Sequence, residues 1–222
     1  MLPIRDENRS KSTPHVTRIL IILNIVAFVP LLFTLFPQYT HLYQFADWLY
    51  NNFTMVPAEI IQGRNLYTLI TSIFLHGGIF HIGGNMLFLY VFGDNVEDAF
   101  GHLPYLLFYL ICGLVADFVH ILSISTSSGL LIPTLGASGA ISGVMGAYIL
   151  LYPRARIETL IITFVVTIVS IPAVFFLGFW FLLQILYTWL DLSGIVAYWA
   201  HIGGFIAGLI LGLTVRRKRR TL

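Results

Sequence analysis

Residues 197–215 have the sequence AYWAHIGGFIAGLILGLTV and are followed at once by the basic cluster RRKRR of residues 216–220. A helix of about 20 apolar residues is long enough to cross the hydrocarbon core of a bilayer. One histidine, His201, lies inside this stretch, and glycine recurs every four residues from Gly204 to Gly212. The stretch therefore predicts a membrane-spanning helix with one row of glycines, anchored at its end by the basic cluster.

The whole chain has the composition of a membrane protein. Of its 222 residues, 58% are hydrophobic and 10% are charged, with a mean hydropathy of +0.87, whereas soluble domains have about 25% charged residues. A net charge of +2 is too small for a surface that seeks phosphates. A single cysteine, Cys112, allows neither an intrachain disulfide nor a cysteine-rich zinc site. These values exclude an ordinary soluble globule, a disordered chain and a nucleic-acid binder.

Five further stretches have the length and apolar character of membrane spans, or nearly so. We therefore predict an all-α polytopic membrane protein with six transmembrane helices, of which the fifth is long and kinked or tilted at Pro172. A cytoplasmic segment 1–15 precedes the membrane domain of residues 16–215, and a basic cytoplasmic tail 216–222 follows it. An aromatic-rich segment, about residues 37–79, is expected to lie on the outer membrane surface. The six predicted spans are roughly Val16–Phe36, Phe80–Val96, Pro104–Leu122, Ser138–Tyr152, Thr159–Tyr187 and Ala197–Val215.

The basic residues are distributed asymmetrically, which predicts the orientation of the chain, because cytoplasmic loops of membrane proteins are enriched in Lys and Arg. With both termini inside, eleven of the twelve basic residues face the cytoplasm and only Arg64 lies outside. One predicted cytoplasmic connection is acidic instead, with Asp94, Glu97 and Asp98, but acidic residues have little influence on orientation. We therefore expect an N-in, C-in topology. The eleven residues are Arg5, Arg9, Lys11, Arg18, Arg154, Arg156, Arg216, Arg217, Lys218, Arg219 and Arg220.

Polar side chains from three predicted spans meet at one depth. Ser138 and His201 lie 16 and 15 residues before the next cytoplasmic arginine of their spans. At a rise of about 1.5 Å per residue, both are roughly 6–10 Å below the outer face. His81 in the second span reaches the same level, and Asn85 follows one turn later on the same helical face.

Rows of small residues predict that the fourth and sixth spans pack closely, because such rows let helices approach each other in lipid. One row is Ser138, Ser142 and Gly146, and the other starts at Gly204. If the two rows pack together, Ser138 comes within hydrogen-bonding reach of His201.

These residues have the chemistry of a nucleophile, a base and an oxyanion hole. A serine hydroxyl becomes a nucleophile when a neutral imidazole takes its proton, which makes Ser138 the candidate nucleophile and His201 the candidate base. The backbone N–H of Ser138, at the start of a helix, has no intrahelical partner and suits a developing oxyanion. His81 and Asn85 are candidates for two further donors. An obvious third, acidic residue is missing.

Four sequence motifs follow one another along these spans. They are His76-Gly77-Gly78-Ile79-Phe80-His81 with Asn85, then Phe92-Gly93-Asp94-Asn95-Val96-Glu97, then Gly136-Ala137-Ser138-Gly139, then Ala200-His201 with Gly204 and Gly208. In this order they resemble the rhomboid family of intramembrane serine proteases, and the resemblance extends from about Val56 to Gly212.

The resemblance implies a protease with a catalytic dyad of Ser138 and His201, and with His81 and Asn85 as donors to the oxyanion. Its substrates would be single-pass membrane proteins, cut near the outer end of their transmembrane helix within the lipid bilayer. It implies no cofactor, metal or nucleic-acid partner, and a fifth span that helps to gate lateral access. By analogy we expect a prokaryotic plasma membrane, with the site open to the outer side. Supporting roles fall to Gly136, Gly139, His76, Gly204 and Gly208.

Two positions depart from the family pattern. Tyr67-Thr68 stands where many members have Trp-Arg in the first outer loop. Ser142 stands where some members place an aromatic residue beneath the histidine, so the support of His201 is an open question.

A small proton-coupled transporter or channel is the alternative, with Asp117, His81 and His201 as relay groups. Asp117 and His120 are expected to form a local polar contact near the level of Ser138. Transporters of this kind often have two related halves, and the sequence has none. A catalytically dead helix-binding relative would lack Ser138 or His201. A zinc protease would need an HExxH motif, which is absent.

Overall fold

The computed structural model describes residues 1–8, 10–32, 40–162, 166–190 and 196–215. The predicted tail and the first residues of the outer segment lie outside these ranges. The helices are α1 (His15–Leu32), α2 (Thr40–Phe53), α3 (Pro57–Ile61), α4 (Thr68–Thr71), α5 (Ile79–Phe100), α6 (His102–Ser123), α7 (Ser138–Leu151), α8 (Ala173–Trp189) and α9 (Tyr198–Gly212). The strands are β1 (Leu2–Asp6), β2 (Arg156–Ile162) and β3 (Val166–Pro172).

Several of these helices are apolar enough for a membrane. Of the described helices, α1 and α6 are each long and apolar enough to cross it alone. The α5 helix meets the same criterion together with residues 68–74, from which it is bent by 93°. The α7, α8 and α9 helices are apolar but shorter, with 14, 17 and 15 residues. The fold is thus mostly helical and compatible with a membrane bundle, while six spans and the N-in, C-in orientation stay predictions.

The predicted fifth span, Thr159–Tyr187, is wrong in its first half. Strands β2 and β3 pair as an antiparallel hairpin there, with Ile157 opposite Ile171 and Leu160 opposite Ile168. The helix begins only at Ala173, after Pro172. The hairpin is rich in β-branched Ile, Val and Thr, which favour extended backbone, and hydropathy does not distinguish such a run from a helix.

A three-stranded sheet therefore interrupts the helical fold, so the expectation of an all-α chain is wrong. The N-terminal strand β1 pairs antiparallel with β2, and the strand order is β1-β2-β3. Arg5 on β1 forms a 2.7 Å ion pair with Glu158 on β2. Asp6 accepts hydrogen bonds from the hydroxyl of Tyr148 on α7 and from the amide of Asn95 on α5. These contacts attach the N-terminal segment to one end of the bundle.

The acidic residues at the end of α5 cap the N-terminal part of the chain. Glu97 is fully buried and accepts the backbone N–H groups of Val16 and Thr17 at 2.9 and 2.8 Å. Asp98 accepts the N–H of Ser12 at 2.8 Å. A carboxylate at a helix start satisfies free N–H groups and interacts favourably with the helix dipole. This structural role accounts for the acidic residues, which lie in the last turns of α5 rather than in a loop between helices.

Helix α7 is the central helix of the bundle and packs most extensively against α9. A Cβ added at Gly204 would lie 2.0 Å from the carbonyl oxygen of Gly139, and one at Gly208 would lie 1.9 Å from that of Gly143. Only glycine permits this approach of the two backbones. Gly146 of the predicted row also packs against α9, because its added Cβ would lie 2.1 Å from the carbonyl oxygen of Phe205. Gly139 and Gly143, the glycines that follow the two serines of the row, add further close approaches to α9.

The outer segment folds back on itself through side-chain bonds to backbone. Tyr67 donates to the carbonyl of Asn52 at 2.9 Å, and Thr71 donates to that of Phe53 at 2.9 Å. Thr68 bonds the carbonyl of Asn65 at 2.8 Å. The Tyr67-Thr68 pair thus holds this segment by local hydrogen bonds. Its placement on the membrane surface stays a prediction.

Candidate active site

Two side chains from the central helix pair form the core of the site. Ser138 is the first residue of α7, and His201 lies in the first turn of α9. The hydroxyl oxygen Oγ of Ser138 is 2.8 Å from Nε2 of His201. The glycine contacts between the two helices, at Gly139 and Gly204, hold the backbones close enough for this bond. Such a bond lets an imidazole accept the serine proton.

The turn before Ser138 requires glycine. Gly136 has a φ of +125°, in the left-handed region that favours glycine. A Cβ at this position would also lie 2.9 Å from the ring of His81. The backbone N–H of Gly136 donates to the carbonyl of Ser72 at 2.9 Å. This turn therefore brings His81 next to the start of α7.

His81 and Asn85 lie one turn apart near the start of α5. The ring of His81 is exposed, and its Nδ1 accepts the backbone N–H of Gly77 at 3.4 Å. Asn85 is buried, and within the described part of the chain its Nδ2 has no hydrogen-bond partner. Buried amide groups are nearly always paired. An unpaired donor here is suited to a ligand oxygen.

His76 supports this side of the site from the loop before α5. It is 1% exposed, and its ring meets that of His81 edge-on at a centroid distance of 5.1 Å. The hydroxyl of Tyr50 on α2 donates to its backbone carbonyl. The ring contact between His76 and His81 limits the orientations that the His81 side chain can adopt.

Gln184 on α8 is a site residue that none of the sequence motifs predicted. Its Oε1 lies 2.9 Å from Nδ1 of His201. The ring of Trp180, on the same helix, lies 5.8 Å from that of His201, and the ring of Tyr198 lies 6.3 Å away. The aromatic support of His201 thus comes from α8 and α9, rather than from position 142. The available signal was a single amide within the apolar, Phe-rich run that forms α8.

A cavity of about 20 Å³ adjoins Ser138, and Asp117 and Thr134 are among its lining residues. About this volume holds one water molecule. Within the described ranges, Oδ2 of Asp117 is buried without a partner. Asp117 lines the same cavity as Ser138, so it lies near the level of the serine, as the spacing predicted. His120 bonds Thr134 at 3.1 Å. Among the described residues, no hydrogen bond joins His120 to Asp117. The prediction of a polar contact between these two side chains is therefore wrong.

The fold and site define a membrane protein with a serine–histidine pair between two helices packed on glycine. A family model described as Rhomboid domain matches residues 63–218. The chain belongs to the rhomboid family.

Curated relatives agree with this assignment. RHOMBOID-like protein 6, mitochondrial, of Arabidopsis thaliana is 32% identical over 159 residues, which are 69% of this chain and 45% of the relative. RHOMBOID-like protein 12, mitochondrial, of the same plant is 32% identical over 186 residues, covering 78% and 53%. Rhomboid protease GluP of Bacillus subtilis is 36% identical over 156 residues, covering 69% and 27%.

The chain spans about half or less of the length of these relatives. The similarity establishes an integral membrane protein of this family. Two of the relatives carry mitochondrial names and come from a plant, so the expected prokaryotic plasma membrane is not supported.

Proposed function

We propose that the chain is an intramembrane serine protease that cleaves single-pass membrane proteins near the outer end of their transmembrane helix. The observation that carries the proposal is the 2.8 Å contact between Ser138 and His201 within a bundle of apolar helices. Membership of a family that includes a bacterial protease supports it. A hydroxyl bonded to an imidazole at the start of a helix is suited to acyl transfer.

In the proposed reaction, Oγ of Ser138 attacks the scissile carbonyl carbon while its proton passes to Nε2 of His201. The oxyanion is received by the backbone N–H of Ser138 and by the side chains of His81 and Asn85. The C–N bond breaks, and the departing amine takes the proton from His201. His201 then removes a proton from the water that hydrolyses the acyl-enzyme, which restores the serine.

We also propose that six apolar helices, α1 and α5 to α9, cross the bilayer with both termini on the cytoplasmic side. The distribution of basic residues supports this orientation. The active site then opens toward the outer face. The partners in this proposal are transmembrane protein substrates and the lipid bilayer, and the reaction uses no metal or cofactor.

The test is covalent labelling of the purified protein with a fluorophosphonate, followed by mass spectrometry. We expect the label on Ser138, and we expect Ser138→Ala to lose both the label and the cleavage of a reporter with a transmembrane helix. Ser142→Ala is the matched control, because within the described ranges the Ser142 hydroxyl bonds only the backbone carbonyl of Ser138, at 2.6 Å. A label on another residue, or undiminished cleavage by Ser138→Ala, would overturn the proposal.

A further inference from the structure

Both ring nitrogens of His201 have a hydrogen-bond partner. Nε2 lies 2.8 Å from Oγ of Ser138, and Nδ1 lies 2.9 Å from Oε1 of Gln184. Gln184 is 6% exposed and comes from α8, whereas the serine and histidine come from α7 and α9. A third helix therefore contacts the candidate base on the side away from the serine.

The orientation of the Gln184 amide follows from its second contact. Its Nε2 donates to the backbone carbonyl of Trp180, one turn earlier on α8, at 3.1 Å. A carbonyl oxygen only accepts hydrogen bonds, so the NH₂ group must face Trp180 and Oε1 must face His201. This removes the usual ambiguity between the oxygen and nitrogen of an amide.

The protonation of the imidazole follows in turn. Because Oε1 of Gln184 only accepts, the proton of neutral His201 is on Nδ1, and the lone pair is on Nε2. Nε2 is the atom that faces the hydroxyl of Ser138. The carbonyl of Trp180, the amide of Gln184, the ring of His201 and the serine thus form one chain of hydrogen bonds with a single consistent direction.

We propose that Gln184 is a positioning residue that fixes the tautomer and orientation of His201 for proton transfer from Ser138. This inference rests on the proposed function, since it concerns the same base. A neutral amide suits the surroundings, because a buried carboxylate without a charged partner is costly. As the imidazolium forms, Oε1 keeps accepting the Nδ1–H bond without requiring a charge in the apolar interior.

The experiment measures kcat, KM and the pH profile of kcat/KM for three variants with a transmembrane reporter. Gln184→Met keeps the length of the side chain but removes the acceptor, and we expect kcat to fall about 10-fold with KM unchanged. Gln184→Glu restores an acceptor and adds charge. We expect it to recover most of the rate at high pH, with the acid limb of its profile moved to higher pH.

The control is Thr188→Val, one turn further along α8. Among the described residues its hydroxyl bonds only the backbone carbonyl of Gln184, at 2.8 Å, so we expect wild-type kinetics. The inference is overturned if Gln184→Met retains wild-type kcat, or if Gln184→Met and Gln184→Glu lose rate equally with unchanged pH profiles. Failure of the proposed function gives a different result. If Ser138 is not the nucleophile, Ser138→Ala still cleaves the reporter, whatever the kinetics of the Gln184 variants.

Discussion

His201 has little freedom to turn within the site. Ser138 and Gln184 bond its two nitrogens, and the rings of Trp180 and Tyr198 flank it. An imidazole held in this way keeps one tautomer and needs little reorganisation when it accepts a proton, which is the condition for efficient acid–base catalysis. On the opposite side of the site, the buried Nδ2 of Asn85 is a donor without a hydrogen-bond partner among the described residues.

Asn85→Ala tests whether that donor serves the oxyanion. Loss of one oxyanion-hole donor costs about 10²-fold or more in kcat, so we expect a decrease of this size in reporter cleavage, with fluorophosphonate labelling slowed in parallel.

The matched control is Asn24→Ala, since Asn24 is a fully buried asparagine on α1 that bonds the carbonyl of Leu20 at 2.7 Å. We expect this variant to lower stability and to leave kcat unchanged. An unchanged rate for Asn85→Ala would exclude Asn85 from the oxyanion hole.

Spacing along helices predicted the contact between Ser138 and His201, because both residues could be measured from a cytoplasmic arginine of their own span. Gln184 could not be placed in this way. The predicted fifth span began at Thr159, whereas the helix begins at Ala173, so the depth of its amide could not be derived. Helix spacing places a polar residue at the site only when the start of the helix that carries the residue is predicted correctly.

At the level of elements, the α7–α9 pair determines the geometry of the site. Their backbones touch where Gly208 faces Gly143, about two helical turns after His201. Without a hydrophobic effect between helices in lipid, close packing of this kind is a main source of association energy. The geometry of the candidate site and the stability of the bundle therefore depend on the same glycines.

Gly208→Ala should lower both the stability of the protein and the rate of reporter cleavage. The added Cβ would lie 1.9 Å from the carbonyl oxygen of Gly143, so α9 must move away from α7. Overpacking costs about 1–3 kcal/mol, and the shift lengthens the bond between Ser138 and His201. We expect a lower midpoint of thermal unfolding in detergent and a loss of reporter cleavage.

Gly178→Ala on α8 is the control for this change, because none of the residues that the structure describes lies within 4 Å of its added Cβ. Alanine is favoured over glycine in a helix by about 1 kcal/mol, so stability should be kept or increased. Equal behaviour of the two variants would contradict a special role for the contact at Gly208.

The hairpin illustrates a limit of sequence patterns at this scale. Hydropathy predicted a span over residues 159–187, whereas β2 and β3 occupy the region before α8. The pairing of β2 with β1 connects positions more than 150 residues apart, such as Leu2 and Leu160. No local pattern contains that partner, so the strand character becomes clear only from the folded chain.

On the scale of the whole molecule, α7 connects the site to the sheet. Its first residue is Ser138, and near its other end Tyr148 donates a hydrogen bond to Asp6 on β1. The amide of Asn95 donates to the same carboxyl oxygen at 2.9 Å. The N-terminal strand therefore braces the helix that carries the candidate nucleophile, at the end away from the site.

The carboxyl of Asp6 makes this brace sensitive to pH. Burial raises the pKa of Asp6 to about 7; the hydrogen bond from Tyr148 acts in the opposite direction, and the nearby carboxyl of Asp94 adds to the increase. In an unfolded chain the pKa of an aspartate is about 3.9. Between these values the folded protein binds more protons than the unfolded chain, so stability falls as pH rises.

We therefore expect the midpoint of thermal unfolding of the parent protein in detergent to fall relative to that of Asp6→Asn as pH is raised from about 4 to about 7, and this difference to level off above that range. The comparison isolates the Asp6 contribution to the slope, because Asp6→Asn removes the titrating group. Asp47→Asn, at an exposed carboxyl on α2 that bonds Asn51, should keep the slope of the parent protein. If Asp6→Asn and the parent protein respond identically to pH, the carboxyl of Asp6 does not titrate on unfolding, and the brace is held by the sheet pairing alone.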